Sequence, residues 1–213
     1  TSLLIDDAYY GVVDPGLTRV SALELFYELT KGISAKEQPL WLQVRSLGKQ
    51  FHCNGWGVGA STSTHEMLVE LDARYYTHNY SYGAMLQHAM VQWLSKEEST
   101  QFLRNLNLEY QKTKSWICEF LATNTDYPKE FLYTSDCSPY YLIRVPQVFM
   151  QEPLPNKAFK KDVLWQHNIM LGDGSMVLSK PHEENIKYSR LYIGAGLETL
   201  QTALKRLSVY RWS

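Results

Sequence analysis

Hydrophobic and polar positions alternate at two different periods along this chain, and the changes of period mark its parts. Leu3, Leu4 and Ile5 form a short apolar run ending at Asp6, which predicts a short buried strand, and Pro15 and Gly16 break the segment after it. Between residues 21 and 31, Leu23, Phe26, Tyr27 and Leu29 predict a short amphipathic helix. Pro39 introduces a second strand, Leu40-Trp41-Leu42-Gln43-Val44, and the glycine-rich run from Gly55 to Ala60 predicts a third. Strands alternating with helical pieces imply an α/β layer.

From about Gly83 the period lengthens. Leu86, Met90, Trp93 and Leu94, then Phe102, Leu106, Tyr110, Ile117 and Phe120, recur at spacings of three and four and predict a long helical region. A second α/β portion follows, with a strand around Tyr140 to Val145, a helix around Lys157 to His167, a short strand near Ile169 and alternation from Ile186 to Ile193. Leu197, Leu200, Leu204 and Leu207 share one face of a last helix, and Lys205 and Arg206 near its end suit the helix dipole. The pattern divides the chain near residue 95, into residues 1–95 and 96–213, with no internal repeat.

Charge narrows the classes of partner. The formal net charge of −1 over 213 residues excludes a generally basic surface, so a small molecule or another protein is expected rather than nucleic acid or an anionic membrane. No apolar run approaches the roughly 20 residues that span a bilayer, and Thr-Ser-Leu-Leu-Ile lacks the basic start of a signal peptide, which makes a cytoplasmic address the default. Cys53, Cys118 and Cys137 are odd in number and far apart, the pattern of free thiols. The six histidines show no two-ligand spacing, so no metal is expected. A first residue other than Met, running straight into a strand, leads to the expectation of a fragment.

Asp6 and Lys49 each stand at or just past the carboxyl end of a predicted parallel strand, where open α/β sheets place their ligands. Taken singly, an Asp there is more often a loop or helix cap, and a Lys a solvated surface residue. Their surroundings are more specific. Ser46-Leu47-Gly48-Lys49, followed by a loop reaching Gly55-Trp56-Gly57-Val58-Gly59, resembles the Ser-x-x-Lys and Gly-Trp-Arg-x-Gly pattern of the aminotransferase class I and II family. Asp6-Asp7-Ala8-Tyr9 is similar to that family's Asp-x-Ala-Tyr, and Ser189-Arg190-Leu191-Tyr192-Ile193 resembles the strand carrying its substrate-carboxylate arginine. The three motifs come in the family's order and extend over essentially the whole chain.

The resemblance implies an α/β protein of fold type I: part of a mainly parallel large-domain sheet, a long connecting helix and a small carboxy-terminal domain. It also implies a pyridoxal 5'-phosphate enzyme acting on an amino acid, most simply an aminotransferase, with Lys49 as Schiff-base lysine and proton carrier. Asp6 would keep the pyridine nitrogen protonated, Tyr9 would donate to the ring's 3′ oxygen, and Ser46 would hold a phosphate oxygen. Arg190 would clamp the substrate carboxylate, as a planar guanidinium suits by geometry. A homodimer is implied, with the amino-terminal half of the site supplied by a missing segment or a partner chain; Tyr82 is a candidate for the neighbouring subunit's phosphate. One departure stands out: Gly57 occupies the place of the family's phosphate-binding arginine, and Arg45 and Lys180 are the candidates to compensate. A lyase or synthase of the same fold, and a relative that holds no cofactor, remain the alternatives.

Overall fold

The computed structural model describes residues 2–34, 37–78, 83–132, 137–174 and 182–213, without the side chains of 76–78 and 182. Backbone proximity divides the chain into two units, Thr1–Asn107 and Leu108–Ser213, the division falling inside one long helix. Tyr80, Tyr82 and Lys180 lie outside the described residues.

The first unit contains β1 (Ser2–Asp6), α1 (Ala22–Leu29), β2 (Leu40–Ser46), α2 (Leu47–Gln50), β3 (Gly59–Ser63), α3 (His65–His78), α4 (Ala84–Leu94) and the beginning of α5 (Glu97–Asn124). The strands lie in the order β1-β2-β3, with β1 parallel and β3 antiparallel to β2. Ile5 stands opposite Gln43, Asp6 opposite Val44, and Ser46 opposite Gly59. Side chains alternate across a sheet, so Ile5, Trp41 and Gln43 share one face and Leu4, Asp6, Val44 and Ser46 the other. Phe26 on α1 covers the first face at Trp41, ring centroids 5.7 Å apart, and Phe51, Trp93 and Phe102 form a second aromatic cluster.

Several sequence expectations shift here. β1 is an edge strand of the described sheet, in which only Ile5 is buried and Leu4 is 67% exposed, because among the described residues no layer covers its second face. The glycine-rich segment is not yet a strand: Asn54–Trp56 form a 3-10 turn, and pairing begins at Gly59. The long helical region is two helices, since α4 ends at Ser95 and α5 starts afresh with Glu97 and Glu98 at its positive end. Helix α3 was not anticipated, although Thr64 marks its start by accepting from the Met67 amide at 3.3 Å.

The second unit holds the rest of α5, β4 (Tyr140–Arg144), α6 (Pro155–His167), β5 (Gly172–Asp173), α7 (His182–Asn185), β6 (Tyr188–Tyr192) and α8 (Leu197–Leu207). Its sheet runs β4-β6-β5, all antiparallel. The strand expected near Ile169 begins at Gly172; Ile169 and Leu171 are buried in the connection that leads to it. That connection leaves α6 through Asn168, whose left-handed φ of +54° is one asparagine tolerates. Leu200, Leu204 and Leu207 of α8 are buried, whereas Leu197 in its first turn is 38% exposed. With Ile117, Tyr141, Ile143, Phe159, Val163 and Trp212 they make the core of this unit. Among the described residues, no helix is long and apolar enough to cross a membrane.

Candidate active site

A pocket of about 310 Å³ opens at the carboxyl ends of β1 and β2, and its wall includes Asp6, Ala8, Ser46, Asn54, Gly57 and Gly59. Sites for small molecules usually begin at about 300 Å³. Two of the five residues singled out in the sequence, Asp6 and Ser46, therefore stand on one wall. Strand register explains it: Asp6 pairs with Val44, so Asp6 and Ser46 emerge on the same face. The Asp6 carboxylate also accepts from the Ala8 amide at 3.1 Å, which turns the chain out of β1.

Ser46 ends β2 and caps α2, where its hydroxyl accepts from the Lys49 amide at 3.3 Å. A hydroxyl that accepts still has a proton to donate, so Ser46 keeps a hydrogen bond for an oxyanion in the pocket. Lys49 lies on the exposed side of this turn, with its Nζ 5.1 Å from the centre of the Tyr9 ring. Lys49 and Tyr9 are thus brought together, each following a wall residue of the pocket, Gly48 and Ala8, without forming the wall themselves. The turn needs a glycine before the lysine: a β-carbon on Gly48 would stand 3.0 Å from Asn54 Cα and 3.1 Å from the Cys53 carbonyl oxygen. Burial pushes the Cys53 thiol up, so this cysteine, whose amide donates to the Gly48 carbonyl at 2.9 Å, stays protonated.

Gly57 closes the 3-10 turn with φ +63°, a left-handed conformation that residues with a β-carbon rarely adopt, and the space beyond it is open. Arg45 borders the same pocket. Its side chain, however, leaves β2 on the Gln43 face and places its guanidinium 3.5 Å from the Tyr10 ring centre, opposite to the face of Asp6 and Ser46. Arg19 stands 3.9 Å from that same ring.

Arg190 belongs to the second unit. On β6 it lies between Leu142 and Gly172, with its guanidinium 4.2 Å from the Tyr140 ring centre, and among the described residues no carboxylate pairs with it. Its half-buried cation is held by an aromatic face and keeps its donors for another anion.

The sequence profile described as aminotransferase class I and II matches residues 1–206. The chain belongs to this family. Solved structures agree with the assignment at the level of fold. An N-succinyldiaminopimelate aminotransferase from Mycobacterium tuberculosis superposes with a TM-score of 0.74 at 17% identity, over 98% of this chain and 49% of its own. An aromatic aminotransferase from Pyrococcus horikoshii gives 0.72 at 16%, over 98% and 50%. An aminotransferase from Staphylococcus aureus gives 0.71 at 19%, over 98% and 49%. The chain thus has the α/β architecture of fold type I and spans about half the length of the structures it matches. No curated protein sequence matches it.

Pyridoxal phosphate is the family's cofactor, and this aminotransferase-family chain fits part of it. The carboxylate, the hydroxyl and the lysine beside a phenol are grouped at one strand end, while Gly57, in the place of the family's phosphate-binding arginine, brings no cation of its own. Sequence reasoning missed Asn54 and Val58 as wall residues, since loop residues after a motif give no periodic signal. It also passed over Gln43, a polar residue inside the apolar run Leu40 to Val44, which is only 1% exposed.

Proposed function

We infer that this chain contributes the lysine-bearing part of a pyridoxal-phosphate site that acts on amino acids, most simply by transamination. The observation that supports it best is the grouping of Asp6 and Ser46 on one pocket wall, with the Lys49 ammonium against Tyr9 next to it. Pyridoxal phosphate, when bound, supplies an aldehyde and an electron-accepting ring. Lys49 would hold that aldehyde as an imine, with loss of water, and, once an incoming amino acid has displaced it, its free amine would carry the proton at the substrate Cα. Asp6 would keep the ring nitrogen protonated, Tyr9 would donate to the ring oxygen, and Ser46 would donate to the phosphate. Arg190 binds the substrate carboxylate with its guanidinium fork. On this reading residues 1–95 serve the cofactor and residues 96–213 serve the connection and the substrate, in a cytoplasmic homodimer. The amino-acid aminotransferases among the similar structures favour this class of substrate.

A second reading, a relative that holds no cofactor, is favoured by two observations: Gly57 brings no cation, and the Arg45 guanidinium lies on the Tyr10 ring. One spectrum separates the two. Pyridoxal phosphate is added to this chain and to the full natural polypeptide, with and without Lys49→Ala. A visible absorption band that disappears with Lys49→Ala supports the enzyme. Absence of a band in the full polypeptide sinks it, and a band confined to that polypeptide means that other segments complete the site.

A further inference from the structure

We propose that Gln43 is a positioning residue, whose buried amide holds Asp7 and thereby sets the turn that carries Asp6 and Tyr9. This rests on the cofactor-site reading above. Gln43 lies in the middle of β2 between Trp41 and Arg45, a position where an apolar side chain would bury at no polar cost. A buried amide is retained there with a specific partner. Its Nε2 donates to Asp7 Oδ2, bridging residues 36 apart in sequence. The hydrogen bond lies on the face of the sheet away from the pocket, as the opposition of Gln43 and Ile5 requires.

Asp7 is the hub of the turn. Its amide donates to the Val44 carbonyl at 2.9 Å, extending the parallel ladder one residue beyond β1. Its carbonyl accepts from Tyr10 at 3.0 Å, and the next bond, Val12 to the Tyr9 carbonyl at 2.8 Å, completes the turn. The residue before it is Asp6, on the pocket wall, and two residues after it is Tyr9, against Lys49. Backbone and side chain of Asp7 are therefore tied to β2 at neighbouring residues, Val44 and Gln43. Rotation of this peptide would swing Asp6 and Tyr9 together relative to Ser46 and Lys49. Asn107 adds a third tie by donating to the Gly11 carbonyl at 3.0 Å, which holds the far end of the turn and leaves its near end to Gln43.

The test uses Gln43→Leu and Asp7→Ala, singly and together, in the full natural polypeptide. Asp7→Ala removes the acceptor from a partly exposed site and keeps the test available if the core variant folds poorly. Without cofactor, amide hydrogen exchange at Tyr10 and Val12 accelerates in both single variants, and a destabilised control in the same unit, Met90→Ala, raises exchange without singling out these amides. With pyridoxal phosphate titrated by absorbance, each single variant binds roughly two- to tenfold more weakly with a displaced band, and the double variant is no weaker than either single one. Turn amides that exchange as in wild type, or losses that add in the double variant, overturn the proposal. If the wild-type protein gives no Lys49-dependent band, the cofactor reading fails, and the exchange result still decides whether Gln43 holds the turn.

Discussion

Replacing Gly57 separates a backbone effect from a charge effect at one position. Its φ of +63° costs a residue with a β-carbon roughly 1–2 kcal/mol, and the open space around it means that no clash is added. That strain is present in the folded protein whether or not a cofactor is bound, so it lowers stability and leaves affinity unchanged. Gly57→Ala and Gly57→Arg should therefore lose similar amounts of stability, about 1–2 kcal/mol by denaturant titration. Only Gly57→Arg adds a donor for the phosphate. A hydrogen bond between charged groups contributes about 1.5–3 kcal/mol, and at this exposed turn the lower end applies, which is roughly tenfold in affinity. Pyridoxal phosphate titrated by absorbance into both variants gives the comparison. Equal affinities for Gly57→Arg and Gly57→Ala would refute the reasoning, because they would show that the side of the pocket bordered by Gly57 does not face the phosphate.

Other perturbations test other parts of the molecule. Phe159 is fully buried among Phe149, Tyr210 and Trp212, so Phe159→Ala should destabilise the second unit by about 3–5 kcal/mol in denaturant unfolding; a loss under about 1 kcal/mol would mean that this cluster is not its core. The Trp212 amide, the Ser213 hydroxyl and the Ser213 amide donate to Asp126 and hold its carboxyl below the ordinary value. A lowered folded value means that this stabilisation is complete above the ordinary carboxylate pKa and vanishes as pH falls through the folded one, so wild type and Asp126→Ala should differ in Tm near neutrality and converge as the pH is taken below the ordinary carboxylate range. Convergence on raising the pH would contradict the sign. Tyr140→Leu removes the ring against Arg190, a contact of about 0.5–1 kcal/mol, and on the proposed function should raise KM for the amino acid two- to fivefold with kcat little changed. A fall in kcat alone would count against Arg190 as a carboxylate clamp.

What could be read in advance was local in origin. Leu200, Leu204 and Leu207 announce α8 because a helix repeats its buried face every three to four residues. The apolar run ending at Asp6 and the segment leading to Ser46 announce two strand ends, and their parallel pairing is what sets these residues side by side. The errors have a physical pattern as well. Gly55 to Gly57 looked like strand because glycine carries no periodic signal, and its left-handed conformation decided for a turn. Leu3 and Leu4 looked buried because hydrophobicity alone does not say whether a second layer lies over the strand.

By itself, the amino-acid sequence determined the motifs around Asp6, Lys49 and Arg190, the strands that end at Asp6 and Ser46 and the last helix, and hence the family, since all of these are written in residues close together along the chain. Only the tertiary structure decided that the Arg45 guanidinium lies on the Tyr10 ring, that Gln43 meets Asp7, and that Lys49 lies against Tyr9. Each of these depends on the register between strands, or between a strand end and a distant turn. A shift of one residue in that register would exchange the faces of every side chain on β2, and no local pattern records which face was taken.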